Sequence, residues 1–146
     1  MRGIAFFEYA LRQSAESGPA ELRSATSRAY YGAFHAALEL LQGIGIQLPK
    51  GPECHTKLRF ILDNSGDADL LTASAWLSLL RAQRNLADYD LGKPEPERKS
   101  TVILNLHRAQ EVISLLAKTS ALQDESIGLR TVVRQYAKDV LGLTVV

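Results

Sequence analysis

The sequence predicts an all-α fold, an antiparallel bundle of five to six helices forming a single domain over residues 1–146. Three observations lead to that expectation. Apolar residues recur every three or four positions almost throughout, the spacing of one helical face. No segment sustains the period-two alternation of a half-buried strand. Gly- and Pro-bearing segments, Ser17-Gly18-Pro19, Gly43-Ile44-Gly45 and Gly92-Lys93-Pro94, break the chain between periodic stretches, as turn punctuation does.

The first stretch sets Ile4, Phe7, Leu11 and Ala15 on one face and ends at Ser17-Gly18-Pro19. The second, residues 21–42, lines Ala25, Ala29, Ala33, Ala36 and Leu40 along one side. Small side chains let neighbouring backbones approach closely, so this helix is expected at the centre of the bundle. Gly43-Ile44-Gly45 stops it, and Pro49 and Pro52 mark a connection. A short helix over 53–63 turns Leu58, Ile61 and Leu62 inward. After the turn Asn64-Ser65-Gly66-Asp67, an Asp at 67 or 69 is suited to cap the next helix. That fourth helix carries Leu70, Ala73, Leu77, Leu80 and Arg84 within one sector, and Gly92-Lys93-Pro94-Glu95-Pro96 closes it. A fifth helix over 97–119 shows Val102, Leu106, Ala109, Ile113 and Leu116. The last, over 124–141, shows Leu129, Val133, Tyr136 and Val140, and precedes the apolar end Leu143-Thr144-Val145-Val146.

Composition excludes several classes. The 146 residues are 46% hydrophobic with a net charge of +1, which is the balance of a folded chain and not of a disordered one. A near-neutral surface argues against non-specific coating of nucleic acid, while leaving room for a local basic site. The single cysteine allows neither a disulfide framework nor a CxxC zinc pair. No apolar run approaches the ~20 residues of a membrane helix. Glu8 and Arg12 interrupt what would be a signal h-region. A soluble, cytoplasmic, reducing setting is expected, with no membrane contact.

Arg84 is the most unusual residue of the pattern. On a helical wheel it lies about 20° from Leu77 and about 40° from Leu80, so it continues the buried stripe. A charge placed there needs a partner or a pocket. Asp88, one turn on, offers the first, with the guanidinium snorkelling at the helix end. The second reading is an anion site, since a guanidinium grips phosphate in a bidentate fork. On the second helix Arg28, Tyr31 and His35 stack at i, i+3 and i+7, away from the Ala row. They offer a cation, an aromatic face and an imidazole, a reasonable nucleotide surface, or else an ordinary amphipathic edge. His35, His55 and His107 lie on three different helices with no HxxxH or carboxylate pair at ligand spacing to support them, so neither a metal nor another cofactor is expected. No GxSxG elbow or phosphate-binding loop is present. The basic row Arg130, Arg134 and Lys138 has Asp124, Glu125 and Asp139 nearby and is expected to be a solvated face.

Two segments add a family resemblance. Residues 27–37, Ser-Arg-Ala-Tyr-Tyr-Gly-Ala-Phe-His-Ala-Ala, resemble the second-helix signature SRAYYAxFHAA of HEPN domains. Residues 80–90, Leu-Arg-Ala-Gln-Arg-Asn-Leu-Ala-Asp-Tyr-Asp, resemble their RxxADY segment, and His55 matches a histidine often found at the start of the third helix. The resemblance covers about residues 4–118. It implies a dimeric helical bundle, often encoded beside a minimal nucleotidyltransferase as the toxin-like half of a toxin–antitoxin pair. Many relatives are metal-independent ribonucleases with an R-polar-x3-H motif, and others bind nucleotides. By that resemblance the motif positions here are Arg84, Asn85 and Tyr89, with Arg28, Tyr31, His35, Arg81 and Asp88 around a nucleotide or single-stranded RNA. Tyr89 stands in the histidine place. A phenol with a pKa near ~10 is a poor proton shuttle at neutral pH, so endoribonuclease activity is expected to be absent or very low. In some relatives a motif-adjacent tyrosine is nucleotidylated by the partner enzyme, and Tyr89 is the corresponding position. The alternative is a non-catalytic homodimeric module that binds a partner protein. Positions 84 and 89 are about 140° apart on an ideal helix, so they are expected to converge poorly within one chain and better across a homodimer.

Overall fold

The computed structural model describes residues 1–121 and 127–146. Six helices follow one another among these residues: α1 (Ile4–Ser14), α2 (Pro19–Gly43), α3 (Glu53–Asp63), α4 (Ala68–Tyr89), α5 (Lys99–Ala121) and α6 (Ile127–Asp139). A 3₁₀ turn, Glu95–Glu97, leads into α5. The all-α bundle read from the sequence is therefore the observed architecture. The single β feature among the described residues is a bridge between Ile46 and Val145.

Pro19 opens α2, where its fixed φ suits the first helical position and its missing N–H costs nothing. Along α2 the residues Ala25, Ala29, Ala33 and Ala37 have no exposure, and the helix packs on α1, α4 and α5. The row runs through Ala37, leaving Ala36 half-buried. Gly32 makes the α1 contact close: a Cβ there would lie 2.8 Å from the Phe7 Cβ and 2.9 Å from the Phe7 backbone nitrogen. Asp67 caps α4, its Oδ1 accepting from the Leu70 N–H at 2.9 Å. Leu70, Ala73, Leu77 and Leu80 of α4 are all buried, as are Leu58, Ile61 and Leu62 of α3.

Three helix pairs run antiparallel. Gly3 and Phe7 of α1 meet the His35 and Gly32 levels of α2, whereas Arg23 and Tyr31 of α2 meet the C-terminal half of α4. On α4 and α5, Asp69 pairs with Lys118 and Trp76 lies against Arg108. Two reversals separate α2 from α5, so this central pair is parallel. Thr26 accepts from Asn105 near their starts, and Leu40 and Leu116 line one hollow near their ends.

The structure corrects four details. The inward row is Gly3, just before α1, then Phe7 and Ala10, with Leu11 49% exposed and Ala15 exposed; Phe7 seats on Gly32 and Gly3 on His35, which turns this side of α1 to α2. Helix α5 begins at Lys99, since Glu97 belongs to the 3₁₀ turn. Helix α6 ends at Asp139, and Val140 is 64% exposed. Its expected start at 124, with Asp124 and Glu125, lies outside the described residues. The basic row is split: Arg130 and Lys138 are exposed, whereas Arg134 donates to the Ile44 carbonyl at 2.9 Å. The apolar end is pinned beside it by the Val146 N–H to Gly45 carbonyl bond of 2.8 Å.

Arg23 carries the largest unforeseen role. Only 7% exposed, it sits at the C-terminal end of α4, where the last carbonyls lack helical partners. Its Nη1 donates to the carbonyls of Leu86, Ala87 and Asp90, and its Nη2 to those of Leu91 and Lys93. Nε donates to Glu97 Oε1 at 2.8 Å. One guanidinium thus closes α4, shapes the following turn and joins it to the approach of α5.

Candidate functional site

The last two turns of α4 face α2, and Arg84 lies between them. Its side chain is 15% exposed, so the guanidinium does not reach out to solvent, while the expected pairing with Asp88 is present. Each guanidinium nitrogen has a partner. Nη2 donates to the Tyr31 hydroxyl at 2.7 Å and approaches the Tyr89 hydroxyl at 3.4 Å, while Nη1 donates to Asn85 Oδ1 at 2.9 Å. Nε is 3.0 Å from Asp88 Oδ2, an ion pair whose N–H is not aligned for a hydrogen bond. Ser27 Oγ donates to the same carboxylate oxygen at 3.0 Å. The Arg84 Cζ is 5.2 Å from the Tyr31 ring centre and 5.3 Å from that of Tyr89, within cation–π range of both.

This arrangement overturns the expected poor convergence of positions 84 and 89. Two long side chains span the angular gap in one chain, because Tyr89 is the last residue of α4 and its ring folds back along the helix end. The hydroxyl nevertheless belongs to a side chain 73% exposed.

The row Arg28, Tyr31 and His35 is also assembled, but it divides between two neighbours. Arg28 is 5.6 Å from the Phe6 ring centre and 5.8 Å from that of Tyr31. His35 stacks on Phe6 of α1 at 5.4 Å and lies 6.4 Å from the Tyr31 ring centre, and burial holds its imidazole below the usual histidine range against the opposing pull of Glu39. Tyr31 is the member shared by both groups.

Arg81 turns to a different place, a groove of about 250 Å³ between α3 and α4. Tyr30, His55, Arg59, Ser78 and Asn85 line it with Arg81. The Tyr30 hydroxyl shares a hydrogen bond with His55 Nδ1, and we assign the phenol as donor because it has no other acceptor among the described residues. Burial pushes the Tyr30 phenol well above its ordinary value despite Arg81 and Arg84. Burial, and then the charges of Arg81, Arg84 and His35, hold His55 below the usual histidine range. The lowered value favours the neutral imidazole, and with the phenol assigned as donor to Nδ1 the ring hydrogen falls on Nε2. Arg81 itself makes no hydrogen bond or ion pair among the described residues, whereas Arg59 is paired with Asp63 at 3.3 Å.

Sequence reasoning placed Arg84, Asn85, Asp88 and Tyr31 together and missed the groove. Arg59 and Ser78 gave no signal, since polar residues on exposed helix faces are ordinary. Arg23 did leave one. It continues the row Ser27, Tyr30 and Phe34 one turn earlier, all buried, and is as anomalous there as Arg84 on α4.

Among the described residues no three His, Cys, Asp or Glu side chains gather as a metal site, and no helix is long and apolar enough to cross a membrane. His107 is exposed and Cys54 is a buried free thiol. Comparison with protein-family models, curated proteins and solved structures gives no match.

Proposed function

We propose that this chain is a HEPN-type protein that binds a nucleotide or single-stranded RNA, the toxin-like half of a toxin–antitoxin pair whose partner is a minimal nucleotidyltransferase. The observation that carries the reading is the cluster at the end of α4. Arg84, its polar neighbour Asn85 and Tyr89 in the histidine place are joined by hydrogen bonds inside one chain. The order and spacing of the two resembling segments, and their meeting through Tyr31, support the same assignment. The chain acts in the cytoplasm as a homodimer, and Tyr89, exposed at a helix end, is the residue its partner enzyme would modify.

One observation favours a second reading, a non-catalytic homodimeric module that binds a partner protein. Every nitrogen of Arg84 is already engaged within the chain, and no imidazole stands at position 89.

Equilibrium titration separates the two. A labelled single-stranded oligoribonucleotide and AMP should bind the wild-type protein. Arg84→Ala should weaken them by about 1.5–3 kcal/mol, the worth of a charge-assisted bond made by Arg84 or by the side chains it positions, and Arg28→Ala by less. No binding by the wild type, or equal affinities for wild type and Arg84→Ala, would refute the first reading. Light scattering at tens of micromolar should give the mass of a dimer, and a monomer there would count against both.

A further inference from the structure

Arg84 and Arg81 are one turn apart on α4 and differ in what they have left to offer. Arg84 spends its three nitrogens on Tyr31, Asn85, Asp88 and Tyr89. Arg81 is half-buried, has no partner among the described residues and lines the α3/α4 groove. An arginine held in a concavity without an acceptor is a free donor fork, the geometry that recognises phosphate.

The other groups of the groove complete the chemistry. Arg84 is a donor only, so its 2.9 Å bond fixes the Asn85 side-chain oxygen toward itself and leaves the amide Nδ2 to the groove that Asn85 lines. Tyr30 fixes His55 in the same manner: its hydroxyl occupies Nδ1 and leaves Nε2–H as a donor. Ser78 adds a hydroxyl and Arg59 a second cation. No Asp or Glu lines the groove, and Asp63 and Asp88 are paired with Arg59 and Arg84. A concavity furnished with donors and cations, and with no carboxylate, selects an acceptor-only anion. Its volume of about 250 Å³ admits a phosphate or diphosphate and is too small to enclose a whole nucleotide.

We propose that the α3/α4 groove is the phosphate subsite of this protein, with Arg81 as its anchor and His55 Nε2 and Asn85 Nδ2 as neutral donors, and that Arg84 is a positioning residue that sets Asn85. The proposal rests on the nucleotide- or RNA-binding reading and says where on the chain the phosphate lies. The phosphate can be that of a free nucleotide or of an RNA strand.

The experiment titrates wild type, Arg81→Gln, Arg81→Lys and Ser78→Asp with inorganic pyrophosphate, AMP and a single-stranded oligoribonucleotide. Calorimetry gives the affinities, the imidazole NMR signals report on His55, and circular dichroism confirms that each variant is folded. Wild type should bind pyrophosphate with a shift of the His55 signals, which His55→Gln identifies. Arg81→Gln and Ser78→Asp should each weaken it about tenfold or more, and Arg81→Lys should restore part of the loss. Phosphate ligands bound equally by wild type, Arg81→Gln and Ser78→Asp would overturn the groove while leaving the nucleotide-binding reading intact. Pyrophosphate bound through Arg81 without AMP or RNA would keep the groove and overturn that reading. No binding of any of the three would overturn both. AMP bound more tightly than the oligoribonucleotide assigns the phosphate to a free nucleotide, and the reverse order assigns it to RNA.

Discussion

Arg84 donates a 2.7 Å hydrogen bond to the Tyr31 hydroxyl and so joins the last turns of α4 to the middle of α2. Fifty-three positions apart in sequence, these residues meet only through the packing of α2 on α4. Their bond is what makes one site of two helices. The same guanidinium holds Asn85 and Asp88, so the placement of three polar side chains depends on it.

Tyr31→Phe keeps the ring and the cation–π contact and removes only the acceptor. It should cost about 1 kcal/mol of stability, the usual net worth of a hydrogen bond, and should loosen Asn85. Urea denaturation measures the first effect and the side-chain amide NMR signals of Asn85 the second. A stability equal to wild type together with unchanged amide signals would show that the Arg84 bond to Tyr31 positions nothing.

Arg23→Ala should be the most destabilising of the single changes considered, by about 3–5 kcal/mol, because it leaves buried carbonyls at the end of α4 without donors. Glu97→Gln removes only the charge of a partner more than a third exposed and should cost about 1 kcal/mol or less. Chemical denaturation midpoints in that order support the stapling role. Equal midpoints would assign the effect to the ion pair alone.

Stability should fall as pH drops from about 7 toward 5. His35 and His55 are both held below their ordinary values, chiefly by burial. In the unfolded chain each takes up a proton near pH ~6.5, while the folded protein resists doing so. The unfolded state therefore binds more protons in that window, and stability is lost as pH falls through it. Thermal melts between pH 5 and 8 test the trend, and His55→Gln should flatten it. Arg81→Gln, which removes a positive neighbour, should raise the NMR-measured pKa of His55.

Cleavage of single-stranded RNA in the presence of a chelator should be absent or very low for wild type. General acid–base help is worth roughly 10²–10⁴-fold, and position 89 offers only a phenol. Tyr89→His places an imidazole beside the Arg84 guanidinium, which now lies 5.3 Å from the Tyr89 ring centre, and should raise cleavage. The folded chain stacks His35 on Phe6 and gives it no hydrogen bond to Arg84 or Tyr89 among the described residues, so His35→Ala should change little. Strong wild-type cleavage that survives His35→Ala would show that another group supplies the base, and His55→Gln would then test the groove.

The sequence alone determined the helical class, the order of the helices, the central place of the Ala-rich α2 and a cap at one of two neighbouring aspartates, of which the structure selects Asp67. Each of these is local or periodic: a small-residue row, a turn, a side-chain oxygen three residues from the N–H it accepts. It also picked out Arg84, because a charge on an apolar stripe is visible on one helix, and Asp88, which is one turn away. Only the tertiary structure decided what long side chains reach across helices. Arg23 finds its carbonyls more than sixty positions away, and Arg81 is left without a partner although Arg84, three residues on, has four. A wheel gives the direction in which a side chain leaves its helix. The end of a flexible arginine or tyrosine is set by the neighbour it meets, and that neighbour exists only once α2, α3 and α4 have packed.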